Sequence, residues 1–175
     1  TLINLPADYP GPVIAAHPEW ASYDNRGSLF PPGQGKPFLD PANPAARQYL
    51  LRLYEEIVSR YNVDGLQLDY IRYPFQDPSA DRTYGYGIAA RQQFQQLTGV
   101  DPTTIKPSDR DLWQRWTQFR TQQIDGFVAQ ASRYLKQKRP NLVMSVAVFP
   151  LSEHDRTHKL QQHWEVWANR GDVDL

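Results

Sequence analysis

The stretch VDGLQLDYIRYP, Val63 to Pro74, decides the fold. Val63 to Asp69 is too short for a helix, and Leu66 and Leu68 alternate with Gly65, Gln67 and Asp69, the period-two pattern of a strand with one apolar face. The strand ends on a carboxylate, Asp69, with Tyr70, Arg72 and Tyr73 just beyond it. Desolvation makes a charge there costly. Arg72 is the expected counterweight, because a nearby cation keeps a carboxylate ionised and so suits it to act as nucleophile or base. An Asp–Arg pair that merely pins the loop is the alternative reading of the same residues.

Upstream of that strand, Asn43 is placed to cap a helix and Pro44 suits its first position. Ala46, Leu50, Leu53, Ile57 and Tyr61 then recur every three or four residues and predict an amphipathic helix ending near Tyr61. Before it, residues 1–42 are rich in proline and glycine; FPPGQGKPFLDP reads as a long turn-rich loop, and loops of that length in compact domains are often functional. Downstream, Tyr86, Ala90, Phe94 and Leu97 predict a helix that Gly99 closes. Ser108 with Asp111 resembles a capping box opening a longer helix, whose buried side runs through Leu112, Trp116, Phe119, Ile124, Phe127, Ala131 and Leu135 until Pro140 stops it. LVMSVAVFP is the second strand, with Met144, Val146 and Val148 on one face and Ser145, Ala147 and Phe149 on the other. Leu160, Trp164 and Trp167 mark a short helix, and DVDL begins a third strand.

Helices alternating with strands call for a parallel sheet covered by helices. A doubly wound sheet and a (β/α)8 barrel both satisfy that order. No glycine-rich phosphate loop follows either strand, which disfavours the former. In a barrel, Leu66 and Leu68 would meet the helices while Gly65, Gln67 and Asp69 line the interior. A complete barrel takes about 250 residues, and the chain has 175. It starts at Thr1 and stops at GDVDL, where a strand is beginning, so the expectation is an excerpt covering the central part of a (β/α)8 TIM barrel. Its terminal strands would then expose unpaired edges. Association through those edges, and inactivity of the isolated segment, are expected.

Composition narrows the function classes. Hydrophobic residues make up 40% of the chain, enough for a core, and 19 Lys plus Arg balance 19 Asp plus Glu, leaving no basic track for nucleic acid. No apolar run approaches the roughly 18 residues of a membrane span. Cysteine is absent, so thiolate metal sites are excluded. Five tryptophans and ten tyrosines exceed what core packing alone requires, and sugar faces stack on such rings.

Chemistry in parallel α/β folds sits at the C-terminal ends of strands, which makes Asp69 the candidate catalytic group and Asp64, at the other end, structural. HPEW at His17–Trp20, FLDPANPAARQYLLRLYEEIVSRYNVDGLQLDYIRYP at Phe38–Pro74, MSVAVFP at Met144–Pro150 and WANRGDVDL at Trp167–Leu175 resemble the bacterial glycosyl-hydrolase-like-10 proteins, the family-10-like glycosidases. The resemblance implies a TIM-barrel glycosidase-like domain of the bacterial cell envelope, exported or periplasmic, with a polysaccharide substrate such as peptidoglycan glycan and no cofactor. It places Val63–Asp69 as the fourth barrel strand, Leu142–Phe149 as the fifth and Asp172 onward as the sixth.

Glycoside hydrolysis needs a second carboxyl beside Asp69. Glu153, Asp155 and Glu19 are candidates, each also readable as a solvated charge. Sugar contacts are expected from His17, Trp20, Gln67, Tyr70, Arg72, Tyr73 and Phe149, while Asp40 and Asn43 are expected to organise a turn and a helix start. His154, His158 and His163 raise the further possibility of a zinc hydrolase, against a polar surface segment. A carbohydrate-binding module on a degenerate barrel is the non-catalytic alternative.

Overall fold

The computed structural model describes residues 10–30 and 36–175. Part of the proline-rich stretch, residues 31–35, lies outside the described residues, as do residues 1–9. Flanking it are a short helix α1 (Gly11–Ala16), a 3-10 turn at Pro18–Trp20, and strands β1 (Ala21–Ser22) and β2 (Phe38–Leu39), which pair antiparallel.

Asn43 caps helix α2 (Pro44–Arg60) as its sequence predicts: its side-chain oxygen accepts from the backbone N–H of Ala45 at 2.9 Å and of Ala46 at 3.1 Å. The buried stripe of α2 differs from the predicted one. Ala46, Leu51 and Val58 are buried, with Leu50 and Tyr54 packed beside them, while Leu53 and Tyr61 are 41% and 62% exposed. Apolar residues flank this helix on both sides of its core-facing stripe, so spacing alone did not single out the side that packs.

Strand β3 (Gly65–Leu68) follows and pairs in parallel with β4 (Val143–Val146), in register from Gly65 opposite Val143 to Leu68 opposite Val146. Gly65 is required by that pairing, because a Cβ there would stand 2.6 Å from the Val143 carbonyl oxygen. Leu66 and Leu68, with Met144 and Val146, turn toward helices α2 and α4 (Arg110–Lys138). Buried side chains such as Leu68 and Met144 each contribute about 1.5–3 kcal/mol. The other face of the pair is open at Gly65, Gln67 and Val143. Asp174 donates its N–H to the Met144 carbonyl at 2.7 Å and Val146 donates to the Leu175 carbonyl at 3.1 Å, so the last residues run beside β4 as expected of a third strand. The fold is mixed α/β, and the described residues do not close a barrel.

Helix α3 (Ile88–Thr98) ends at Gly99, whose φ of +77° is the left-handed cap predicted for it. Ala90 and Phe94 are buried, but Leu97 is 69% exposed and does not join that face. α4 starts without the Ser108–Asp111 capping box; no side-chain bond caps it, and Asp109 turns back to accept from the Lys106 N–H. Its apolar side is buried from Trp116 to Leu135 as predicted. A second core gathers around Trp116, with Phe94 and Phe119 centred 5.0 and 5.5 Å away. SEHDRTH, which shows no helical pattern as sequence, supplies most of helix α5 (Glu153–Lys159), capped by Ser152 accepting from the Asp155 N–H at 3.1 Å. Helix α6 (Trp164–Asn169) follows, anchored by fully buried Trp167, whose indole N–H donates to Asp125 at 2.6 Å.

The loop after β3 is fastened from two sides. Arg120 of α4 is fully buried; it donates to the Gln76 side-chain oxygen at 3.0 Å, the Tyr84 carbonyl at 2.8 Å and Thr117 Oγ1 at 3.3 Å. Its guanidinium lies over the Trp116 ring at 5.1 Å, and no carboxylate pairs with it among the described residues. Burial lowers its pKa to about 10, which leaves it charged at neutral pH. From the other side, Tyr73 and Gln76 donate their N–H groups to the carbonyls of Leu160 and Lys159, at 3.0 and 2.7 Å.

Candidate active site

Asp69 is the residue at which β3 ends, and it is exposed rather than partly buried, because nothing among the described residues covers that face of the strand. Its Oδ1 accepts from the N–H of Tyr70 at 2.8 Å. Tyr70 has φ of +56°, a left-handed conformation that costs a non-glycine residue roughly 1–2 kcal/mol. Such strain collects where a chain must aim a side chain. Here its ring, 43% exposed, lines the same two cavities as Asp69.

Arg72 does not form the expected ion pair: no Asp69–Arg72 contact within 4.0 Å exists. Its guanidinium is held instead by aromatic rings, 4.9 Å from the centre of Tyr70, 5.3 Å from Phe149 and 5.9 Å from Phe38, and it donates to the Tyr73 carbonyl at 3.0 Å. Burial lowers its pKa, and the Tyr70 and Asp69 side chains pull the other way. Arg72 therefore organises three rings around itself instead of pairing with Asp69.

Two cavities meet at this point, both lined by Asp69, Tyr70 and Arg72. The larger, about 440 Å³, runs under Lys36–Pro41 and along α2 and α4, with Arg47, Tyr54 and Phe127 in its wall. The smaller, about 210 Å³, is closed by Ala147, Val148 and Phe149 beyond β4. A carboxylate between two ring-walled clefts can bear on a ligand that spans both. Phe38, Arg47 and Lys36 escaped the sequence reading: Lys36 and Phe38 fall in the turn-rich stretch, where only a two-residue strand forms, and Arg47 reads as one more polar residue of an amphipathic helix.

The other expected contacts disperse. Gln67 is on the open face of β3 opposite Ser145 and lines neither cavity. Tyr73 is 1% exposed within the core, beyond the reach of a ligand in either cleft. His17 and Trp20 stack on each other with centres 3.9 Å apart, next to Tyr49, and line neither cavity. Phe149 is in place, half-exposed above the smaller cleft.

None of the three candidate partner carboxylates lines either cavity. Glu19 sits 3.1 Å from His17, and Asp155 pairs with Lys159 at 2.8 Å. Glu153 belongs to a separate polar cleft, 3.7 Å from His163, whose other ring nitrogen is 3.5 Å from Asp125. His154 and His158 share one face of α5 with ring centres 4.0 Å apart. No group of three or more His, Cys, Asp or Glu that could hold a metal ion occurs among the described residues.

Asp40 is the one further carboxylate in the wall of the larger cavity, and it is fully buried. Its oxygens accept from the N–H groups of Ala42 at 2.9 Å and Ala90 at 3.1 Å, so it caps the first turn of α3 from a distant loop. Gly87 makes room, since a Cβ there would fall 2.2 Å from Asp40 Oδ2. Burial pushes the Asp40 carboxyl up to about 6, against the pull of those two bonds. With an unfolded value near 3.8, the folded chain holds a proton that the unfolded chain has released between about pH 4 and 6. Asp40 therefore makes stability fall as pH rises through that window, by about 3 kcal/mol in all, and leaves it flat above. Urea unfolding of the wild type and of Asp40→Asn at pH 4.5 and 7 checks this: the difference between the two proteins should change with pH in that sense.

The sequence model of the glycosyl hydrolase-like 10 family matches residues 7–175. The chain belongs to the glycosyl hydrolase-like 10 family. No curated protein matches it. Membership makes this a glycosidase-like domain, and in this glycosyl hydrolase-like 10 chain Asp69 is the exposed carboxylate that lines both cavities.

Proposed function

We propose that this chain forms the central part of a (β/α)8 barrel, β3 and β4 being its fourth and fifth strands, in a glycoside hydrolase that cleaves O-glycosidic bonds of a bacterial cell-envelope or extracellular polysaccharide, peptidoglycan glycan among them. The reading rests on one observation: Asp69 stands exposed at the C-terminal end of a parallel strand, shared by two ring-walled cavities. The edge of β3 away from β4 pairs with no strand among the described residues. Family membership supports the chemistry. On this reading Asp69 is the nucleophile or the base that activates water, Tyr70, Arg72 and Phe149 bound the sugar, the proton for the leaving oxygen comes from a carboxyl elsewhere in the protein, and the protein works outside the cytoplasm.

A second reading is favoured by one feature, the lack of another free carboxylate in either cavity among the described residues. The domain would then bind glycan without cleaving it. Incubating the full-length protein with solubilised peptidoglycan glycan strands and with chito-oligosaccharides, while following new reducing ends and heat of binding, separates the two. New reducing ends support the hydrolase, binding without them supports the module, and neither signal defeats both.

A further inference from the structure

The small cleft beside Asp69 owes one wall to Phe149, which lies beyond the last paired residue of β4 and outside any regular element. A bulky ring on an irregular segment needs something to fix its backbone. That task falls to the segment between α5 and α6. Gln162 is fully buried there; its side-chain oxygen accepts from the Phe149 N–H at 2.8 Å, and its side-chain nitrogen donates to the Ala147 carbonyl at 3.2 Å. One amide thus closes on a carbonyl and an N–H two residues apart. It supplies bonds that the backbone would otherwise seek from a neighbouring strand.

The adjacent Gln161, also fully buried and with φ of +52°, accepts from the Gln76 side chain at 3.2 Å and donates to the carbonyls of Thr157 and His158. Gln76 belongs to the loop that carries Tyr70 and Arg72. The two glutamines therefore tie both walls of the cleft to one linker: Gln161 holds the loop after β3, and Gln162 holds the segment after β4. Neither touches the cavities.

We propose that Gln162 is a positioning residue for the sugar cleft, setting the height of the Phe149 ring over Arg72 and thereby the fit of the ligand beside Asp69. This rests on the reading of the cleft as a sugar site. A wall contacts the ligand alike in ground and transition states, so its displacement raises KM and spares kcat. A substitution that only destabilised the fold would reduce the fraction of active protein, lowering apparent kcat with KM unchanged.

The test compares the full-length wild type with Gln162→Met, Phe149→Ala and the double variant, on solubilised peptidoglycan glycan strands. KM is read where reducing ends appear, and Kd by calorimetry where they do not. Met fills the volume of the glutamine without its bonds; Gln162→Asn, too short to span both partners, takes its place should Gln162→Met not fold. The expected result is a rise in KM or Kd of about tenfold for each single variant, kcat within about twofold, and no further loss in the double variant, because both act through the same ring. Losses that multiply in the double variant, or a Gln162 variant with unchanged KM beside a weakened Phe149→Ala, would overturn the proposal. If Phe149→Ala and Asp69→Asn both leave binding and turnover untouched, the sugar-site reading itself has failed, and the role of Gln162 fails with it.

Discussion

Asp69→Asn is expected to lower the rate of glycan cleavage by about 1,000-fold or more while leaving the melting temperature within about 1 °C of wild type. The two halves of this result have separate causes. Asparagine has the shape of aspartate and keeps the oxygen that accepts from the Tyr70 N–H, the only hydrogen bond Asp69 makes among the described residues. The side chain is exposed and in no ion pair among the described residues, so the fold loses nothing measurable. An amide, by contrast, cannot serve as nucleophile or proton acceptor, and two-carboxylate hydrolysis stops when either group is lost. Paired kinetics and thermal melts check both halves. Activity within about tenfold of wild type would remove Asp69 from the chemistry.

Arg120→Ala is expected to cost about 4 kcal/mol or more. Truncation takes the Arg120 donor from the Tyr84 carbonyl, the Thr117 hydroxyl and the Gln76 oxygen, the last of which keeps only the Tyr84 N–H, and it opens a buried cavity against Trp116. It also loosens the loop that presents Tyr70 and Arg72, since Gln76 loses its bond to α4 and keeps those to Gln161 and the Lys159 carbonyl. Arg120→Met should cost less, because it fills the space and removes a charge whose burial is itself unfavourable. Denaturant unfolding of the two variants tests the order. A loss under about 1 kcal/mol for Arg120→Ala would mean that the buried network does not hold the loop.

The contrast between Asp69 and Arg120 mirrors what the sequence revealed. The β3 alternation with Asp69 just past its end, the Asn43 cap and the Gly99 cap are local signals, decided by residues within a few positions, and each was legible. Arg120 looked like one more polar residue on an amphipathic helix. Its partner Gln76 is 44 positions away, and Gln161 is 85 positions from Gln76. No periodicity reports a bond between such distant side chains. The same blindness hid Phe38, brought to Arg72 by the β1–β2 pairing, and misplaced Tyr73, whose ring turns into the core one residue after Arg72 turns to the cleft. Helix α5 was missed for another reason: seven polar residues carry no apolar stripe, and only the Ser152 cap gives them away. Leu53 and Leu97 show the opposite error, apolar residues at helical spacing that remain at the surface.

The central claim is that Asp69 is one of a pair of catalytic carboxyls. It is tested most directly by a crystal structure of the full-length protein, measuring from the Asp69 carboxylate to the nearest other free carboxyl in the cleft. The account predicts a separation of about 5–5.5 Å, the spacing of a retaining glycosidase, or about 6.5–9.5 Å, that of an inverting one. A closed cleft with Asp69 as its sole carboxylate would contradict it and leave a sugar-binding domain.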